Sequence, residues 1–213
     1  MKKLAVVIPA YNEAEKIESI VDAAMRYGDV IVVDDGSCDD TSILAKKNKA
    51  LVIVHAENRG YEAALETGMQ AAVKKGYLYA ITLDADGQHD PALIEQFKSE
   101  LEDGLDLVVG HRDNFQRWGE VVFSIFGSLL WGLKDPLSGM KAYRLSWLIK
   151  VGTFDTKRLV GAELAVKMIV KGANFREIPI VTHPRNGDSR FGDGLLVNLK
   201  LIKSLIKLIL MVK

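Results

Sequence analysis

The sequence predicts an α/β fold built on a mostly parallel sheet with helices on both faces. Three observations carry this prediction. Short apolar runs alternate with stretches of helical periodicity through the first half of the 213-residue chain. The runs are apolar almost throughout, as strands covered on both faces must be. Polar or acidic residues follow the runs, at the strand ends where parallel sheets gather ligands. The composition, 48% hydrophobic and 26% charged, is that of a globular chain able to bury a sizeable core.

The first run, 4–8, stops at Pro9, and polar Tyr11, Asn12 and Glu13 follow. Met1-Lys2-Lys3-Leu4 could imitate the start of a signal peptide, but the early proline and polar residues favour a strand. Within 13–27, Ile17, Ile20, Val21 and Ala24 lie at helical spacing. Residues 29–34 contain the buried strand Val30-Ile31-Val32-Val33, and Asp39-Asp40-Thr41 supplies caps for a helix to about Asn48. A third strand is expected over 51–54, a helix over 60–75 and a fourth strand over 78–83. Asp90-Pro91 opens the next helix, to about Glu102, with Asp suited to the N-cap and Pro to the first helical position. A fifth strand is expected over 105–109.

After residue 110 the alternation breaks. Residues 121–133 are uncharged but too short to span a bilayer, 161–171 read as helix and 175–181 as strand. No repeat, low-complexity tract or linker divides the chain, so 1–193 is expected to be one domain with halves 1–110 and 111–193. No uncharged apolar stretch of transmembrane length occurs. The single cysteine, Cys38, excludes an internal disulfide and a cysteine-based zinc site, and fits a reducing compartment.

Net charge is zero but segregated. Residues 1–110 hold 11 basic and 20 acidic side chains, and residues 111–213 hold 17 and 8. This is either a matter of solvated faces or an acidic half that holds a cation beside a basic half that meets anions.

Four constellations bear on chemistry. Asp34-Asp35-Gly36-Ser37 ends a buried strand; its carboxylates suit a sugar or base edge, or simply cap a turn. Asp84 and Asp86 offer the hard oxygen ligands that Mg²⁺ or Mn²⁺ prefers, with Gln88 as a neutral ligand or ligand contact, unless the stretch is an Asx-rich turn. Here Asp90 reads as the cap of the next helix and His89 as a turn residue. Arg112, Arg117, Arg144, Arg185 and Arg190 form a basic set whose planar forks suit phosphate, though several must be ordinary solvated arginines. The segment 194–213 contains no acid; Lys200, Lys203 and Lys207 share a helical face with Ser204, and the rest is nearly all apolar. Such a helix lies in a membrane interface, or packs on the protein body or on a partner.

VIPAYNE (7–13), VVDDGSCDDT (32–41), NRGYEAALETG (58–68), LDADGQHDP (83–91), DPLSGMKAYR (135–144) and RNGDSRFG (185–192) occur in one order. Together they resemble family-two glycosyltransferases, in the branch similar to dolichyl-phosphate mannosyltransferase and polyprenyl-phosphate glucosyltransferases. The resemblance covers nearly the whole chain. It implies a GT-A fold, with a Rossmann-like nucleotide-sugar-binding half (1–110) joined to an acceptor-binding half (111–193). It also implies Mg²⁺ or Mn²⁺ and a donor such as GDP-mannose or UDP-glucose. By position, Pro9, Tyr11 and Glu13 resemble residues lining the nucleotide, Asp34 the acid that meets ribose or base, and Asp84, Asp86 and Gln88 the metal and diphosphate motif. Arg112, Arg144 and Arg190 resemble the cations near the donor and acceptor phosphates, and Ser138 and Gly139 the acceptor-side turn.

Glu163 sits where hydroxyl-accepting relatives carry a general base. A lipid phosphate already bears negative charge and needs cationic guidance more than a base. Glu163 is therefore expected to orient an arginine or to be structural. The resemblance implies an inverting hexosyl transfer to polyprenyl or dolichyl phosphate. The alternatives are a hydroxyl acceptor on a glycan or cell-surface polysaccharide, and a non-catalytic nucleotide-sugar-binding module. The expected location is cytoplasmic, peripheral on the membrane face through 194–213, with room for a membrane-protein partner and no nucleic acid.

Overall fold

The computed structural model describes residues 3–47, 49–112, 114–115, 117–152, 154, 159–182 and 194–212. Seven strands form one sheet: β1 (Leu4–Ala10), β2 (Asp29–Asp34), β3 (Leu51–Val54), β4 (Tyr79–Thr82), β5 (Leu107–Arg112), β6 (Lys141–Arg144) and β7 (Phe175–Ile180), in the order β3-β2-β1-β4-β6-β5-β7. The described helices are α1 (Ile17–Ala24), α2 (Thr41–Lys47), α3 (Tyr61–Lys74), α4 (Leu93–Glu102), α5 (Trp118–Trp131), α6 (Leu145–Val151), α7 (Ala162–Val170) and α8 (Leu195–Met211).

β1 pairs in parallel with β2 and β4, and β2 in parallel with β3. Their apolar faces form two cores, one on each side of the sheet. Val7, Ile31 and Val33 face α3, whereas Val6, Ile8 and Val32 pack with Ile17, Ile20 and Val21 of α1. Each such side chain contributes about 1.5–3 kcal/mol when fully buried. Pro9 is tolerated because it lies beyond the last β1–β4 pair, Val7↔Thr82, where a missing N–H breaks no bond to β4. Gly68 of α3 lets the helix approach the sheet: a Cβ there would lie 2.4 Å from Val7 Cγ1.

The first half follows the expected elements with ends moved by a few residues. Asp90 does open a helix, but one turn early: its Oδ1 accepts from Ala92 N at 2.9 Å, and α4 starts at Leu93. β5 is displaced toward its carboxyl end and reaches Arg112.

The second half holds what the alternation did not announce. β6 inserts antiparallel between β4 and β5, with registers Tyr79↔Arg144 and Thr82↔Lys141 against β4 and Leu107↔Tyr143 against β5. Strands from 1–110 and from 111–193 thus share one sheet. β5 and β7 run parallel to each other. The uncharged 121–133 segment falls mostly within α5, which packs against α8; Gly119 N donates to Asn198 Oδ1 at 2.7 Å. No described helix is long and apolar enough to cross a membrane.

Candidate active site

In the strand order, β1 lies between β2 on one side and β4 on the other, so connections leave it in both directions. This is the switch point at which an open α/β sheet forms a crevice beyond its strand ends. The segment Tyr11–Glu13 follows β1, Asp34 ends β2, and Asp84, Asp86 and Gln88 follow β4. All therefore sit along one edge.

The β1 and β2 loops are laced together. Asn12, held at φ 53°, donates its N–H to Ser37 Oγ at 2.9 Å and accepts from Cys38 N at 2.9 Å; Glu13 N donates to Thr41 Oγ1 at 2.9 Å. The Asp34-Asp35 pair divides its work. Asp34 Oδ1 accepts from Ser37 N at 3.0 Å, closing the turn at the rim. Asp35 faces inward: it accepts from Arg59 N and Gly60 N at 3.0 and 2.7 Å, and His55 Nδ1 lies 2.6 Å from its Oδ1. Asp35 is thus an anchor for the loop before α3.

Asp84 is gripped from three sides. Tyr61 OH donates to Oδ1 at 2.5 Å, and His89 Nε2 lies 3.4 Å from Oδ2. Gly139 packs so closely beneath that a Cβ would lie 2.2 Å from Oδ2. Burial alone would raise the Asp84 carboxyl; the His89 and Tyr61 hydrogen bonds and the Lys141 charge outweigh it and hold Asp84 below the ordinary carboxylate value. Asp84 is therefore ionised at neutral pH. Burial, and then Asp84's charge, push the Tyr61 phenol well above its ordinary value and keep it a donor. Asp86 Oδ1 accepts from Gln88 N at 3.0 Å across Gly87, and Lys16 Nζ donates to the Asp86 carbonyl at 2.6 Å, tying the turn to the β1 side of the crevice.

Arg112, at the carboxyl end of β5, forks onto Asp135: Nε to Oδ2 at 2.8 Å and a terminal nitrogen to Oδ1 at 3.0 Å. Arg117 donates to Glu120 Oε1 at 2.7 Å, and Glu120 Oε2 lies 3.9 Å from Arg112. Burial works against the Arg112 charge, but Asp135, Glu120 and Asp84 more than offset it, so the guanidinium stays charged. The Ser138–Gly139 turn reaches the site because β6 is antiparallel and starts at this edge. Lys141, 0% exposed, donates through Nζ to the carbonyls of Ser138 and, at 2.9 Å, of Val160.

Two expectations need correcting. Arg144 is not with Arg112 at the crevice. The register Tyr79↔Arg144 puts it at the amino end of β4, where Nε donates to Asp106 Oδ1 at 3.0 Å and a terminal nitrogen to the carbonyls of Leu101 and Leu105 at 3.1 and 3.2 Å. The cause is the antiparallel run of β6, which carries its carboxyl end away from the crevice. His89 is not a mere turn residue: it is buried against Asp84. Glu163, 0% exposed in the first turn of α7, accepts from Lys167 Nζ at 2.7 Å. Arg185 and Arg190 lie outside the described residues.

Tyr61, Lys141, Asp135 and His89 were within reach of sequence reasoning, since each stands inside one of the six ordered motifs. Lys16 carried no signal beyond one basic residue ahead of an amphipathic helix.

A divalent cation fits this donor set. Each Asp84 oxygen has one hydrogen-bonding partner and retains lone-pair capacity, and Asp86 lies two residues away. Among the described residues no group of three or more His, Cys, Asp and Glu is placed to hold a metal ion. Two carboxylates alone suit Mg²⁺ or Mn²⁺, which keep waters and take substrate phosphate oxygens as further ligands.

Residues 5–121 match the family described as Glycosyl transferase family 2. The chain belongs to this family. A dolichyl-phosphate hexose transferase of Haloferax volcanii is 30% identical over 94% of this chain and 92% of its own. The polyprenol monophosphomannose synthase of Mycolicibacterium smegmatis is 29% identical over 84% of this chain and 77% of its own. Among solved structures, the glucosyl-3-phosphoglycerate synthase of Mycobacterium tuberculosis, in complex with Mn²⁺, UDP and glucosyl-3-phosphoglycerate, superposes with a TM-score of 0.74 at 21% identity. It covers 97% of this chain and 80% of its own, and the shared architecture is the GT-A glycosyltransferase fold.

Proposed function

We propose that this family-two glycosyltransferase moves a hexose, mannose or glucose, from a nucleotide sugar to a polyprenyl or dolichyl phosphate, with Mg²⁺ or Mn²⁺ bound by Asp84 and Asp86. The observation that carries the acceptor class is the near full-length match to relatives named for dolichyl or polyprenol phosphate. The geometry supports it: a charged Arg112, fixed by Asp135, stands within electrostatic reach of Asp84 at the edge where the donor diphosphate belongs.

In the proposed reaction an oxygen of the lipid phosphate attacks the anomeric carbon from the face opposite the leaving group. The sugar–diphosphate bond breaks, configuration inverts and the nucleotide diphosphate departs. Held by Asp84 and Asp86, a divalent cation would offset the charge of the leaving diphosphate. This chain's own residues position it: Tyr61 and Gly139 fix Asp84, Lys16 fixes the turn bearing Asp86, and Arg112 and Arg190 guide the acceptor phosphate. Pro9, Tyr11, Glu13 and Asp34 line the nucleoside, and Gln88 meets metal or diphosphate. A phosphate acceptor needs no strong base, which agrees with Glu163 being buried and paired with Lys167.

The enzyme is further proposed to sit peripherally on the cytoplasmic membrane face. Leu195, Leu199, Ile206 and Leu210 of α8 are exposed beside exposed Lys200, Lys203 and Lys207, and adjoining α5 exposes Trp118, Ile125 and Leu129. Lysines beside an apolar stripe fit anionic headgroups. Reversing all three lysines to Glu weakens sedimentation with anionic liposomes by more than the ~1 kcal/mol that each lysine contributes; unchanged sedimentation removes α8 as the anchor.

Transfer is tested with radiolabelled GDP-mannose or UDP-glucose, polyprenyl phosphate and Mn²⁺. Label extracted into organic solvent is the expected result. Absence of transfer from every nucleotide sugar tried refutes the reading. If Glu163→Gln abolishes transfer while the fold is kept, the hydroxyl-acceptor alternative gains.

A further inference from the structure

Among the described residues, His89 is the one side chain with a buried polar atom left unpaired. Its ring is buried, 5% exposed as a residue. Nε2 faces Asp84 Oδ2 at 3.4 Å, while Nδ1 is buried with no hydrogen-bond partner among the described residues. A buried polar atom left unpaired forfeits its hydration without compensation. A leucine or methionine of similar bulk in this place would carry no such penalty. A side chain kept for packing alone would therefore be better apolar, so the use of this histidine must lie in its other nitrogen.

That nitrogen completes a bracket. Tyr61 OH holds Asp84 Oδ1 at 2.5 Å, His89 holds Oδ2, and Gly139 closes the space beneath. With both oxygens tethered, the plane of the carboxylate is fixed before any cation arrives. A ligand held so loses little rotational freedom on binding, which is how outer partners raise the affinity of a metal site. Neither Tyr61 nor Gly139 can do this alone: the hydroxyl fixes one oxygen about which the carboxylate could still swing, and the glycine only makes room.

We propose that His89 is a positioning residue for the metal site: its Nε2–H, together with Tyr61 OH, locks the Asp84 carboxylate in the orientation that receives the divalent cation. This rests on the reading of Asp84 and Asp86 as cation ligands. The contribution is that of a hydrogen-bond donor at one fixed point.

The geometry supplies a conservative variant. The amide nitrogen of glutamine can occupy the position of His Nε2, whereas that of asparagine falls nearer Nδ1. The experiment measures Mn²⁺ binding by electron paramagnetic resonance of the free ion, first with Mn²⁺ alone and then with added GDP or UDP, alongside thermal melting, for the wild type, His89→Leu, His89→Gln, His89→Asn and Asp86→Asn. Expected are a melting temperature for His89→Leu equal to or above wild type and Mn²⁺ affinity lower by about tenfold or more. His89→Gln should recover most of that affinity and His89→Asn should not. Wild-type Mn²⁺ affinity in His89→Leu, or failure of His89→Gln to outperform His89→Asn, overturns the proposal. If His89→Leu loses affinity only in proportion to a lowered melting temperature, the residue is structural and the proposal is also overturned. Asp86→Asn separates the two levels: undiminished binding in that variant sinks the metal-site reading itself, whereas loss there with wild-type binding in His89→Leu sinks only the role of His89.

Discussion

Arg112 and Arg144 each hold a guanidinium against an aspartate at the carboxyl end of their own strand, yet they lie at opposite ends of the sheet. Arg112 forks onto Asp135 at 2.8 and 3.0 Å with its Cζ 5.8 Å from the Phe115 ring; Arg144 meets Asp106 at 3.0 Å with its Cζ 5.2 Å from the Tyr79 ring. Local chemistry does not tell them apart. Strand direction does: β5 runs with β4 and delivers Arg112 to the Asp84 end, whereas antiparallel β6 delivers Arg144 to the far end, among the carbonyls of Leu101 and Leu105. The carboxyl end of the sheet gathers the groups proposed to meet the ligand. The amino end gathers groups whose partners satisfy them within the fold.

That contrast is open to test at both ends, and the largest effect belongs to the carboxyl end. Asp86→Asn keeps the turn's shape and removes one charge, so turnover should fall about 10³-fold, with a melting temperature near wild type. Gly139→Ala comes next. Its Cβ would lie 2.2 Å from Asp84 Oδ2, so Asp84 can make room only by giving up its contacts with Tyr61 and His89. A displaced carboxylate should cost about 10²-fold in kcat/KM, and overpacking about 1–3 kcal/mol in stability. A Gly139→Ala enzyme of normal activity would show that the orientation of Asp84 is unimportant.

The two arginines then meet in a matched pair of substitutions. Lysine keeps the charge but loses the fork. Arg112→Lys should lower kcat about tenfold, a barrier change of ~1.4 kcal/mol. Arg144→Lys should leave kcat unchanged and lower stability by about 1 kcal/mol, the scale of the hydrogen bonds lost. Equal kinetic effects of the two would break the division between the ends of the sheet.

The same comparison explains what was legible in the sequence. Val30–Val33 or the helical spacing of Ile17, Ile20, Val21 and Ala24 reports burial directly, so the parallel half of the fold could be read from local pattern. The place of Asp84 and Asp86 beyond the end of β4 could be read because the apolar run that precedes them marks the strand. β6 could not. Its four residues, Lys-Ala-Tyr-Arg, carry no run of apolar residues, and their direction is set only by pairing with β4 and β5, contacts far apart in sequence. Misplacing Arg144 follows from that. His89 differs from the expectation for a related reason: its inward turn meets Asp84, whose own place is held by Tyr61 and Gly139, from two distant segments.

The smallest expected effect lies at the amino end and concerns pH. Tyr77, just before β4, donates to Asp29 Oδ2 at 2.8 Å at the start of β2. Burial first, then this hydrogen bond and the Asp29 charge, push the phenol from 10.0 up to about 12. The folded protein thus holds the proton more tightly than the unfolded chain. The stability this provides is fully present below pH 10 and is lost as pH rises toward about 12. Tyr61 is pushed up as well, so the wild-type slope alone does not isolate Tyr77; the difference from Tyr77→Phe does. Tyr77→Phe should lower stability at neutral pH by about 1 kcal/mol, and the gap from wild type should shrink between pH 10 and 12. Its turnover at neutral pH should be that of the wild type, because its bond to Asp29 lies at the amino end of β2, opposite the crevice beyond β1 and β4. A loss of turnover larger than the loss of folded protein would mean that the amino end of the sheet reaches the chemistry after all.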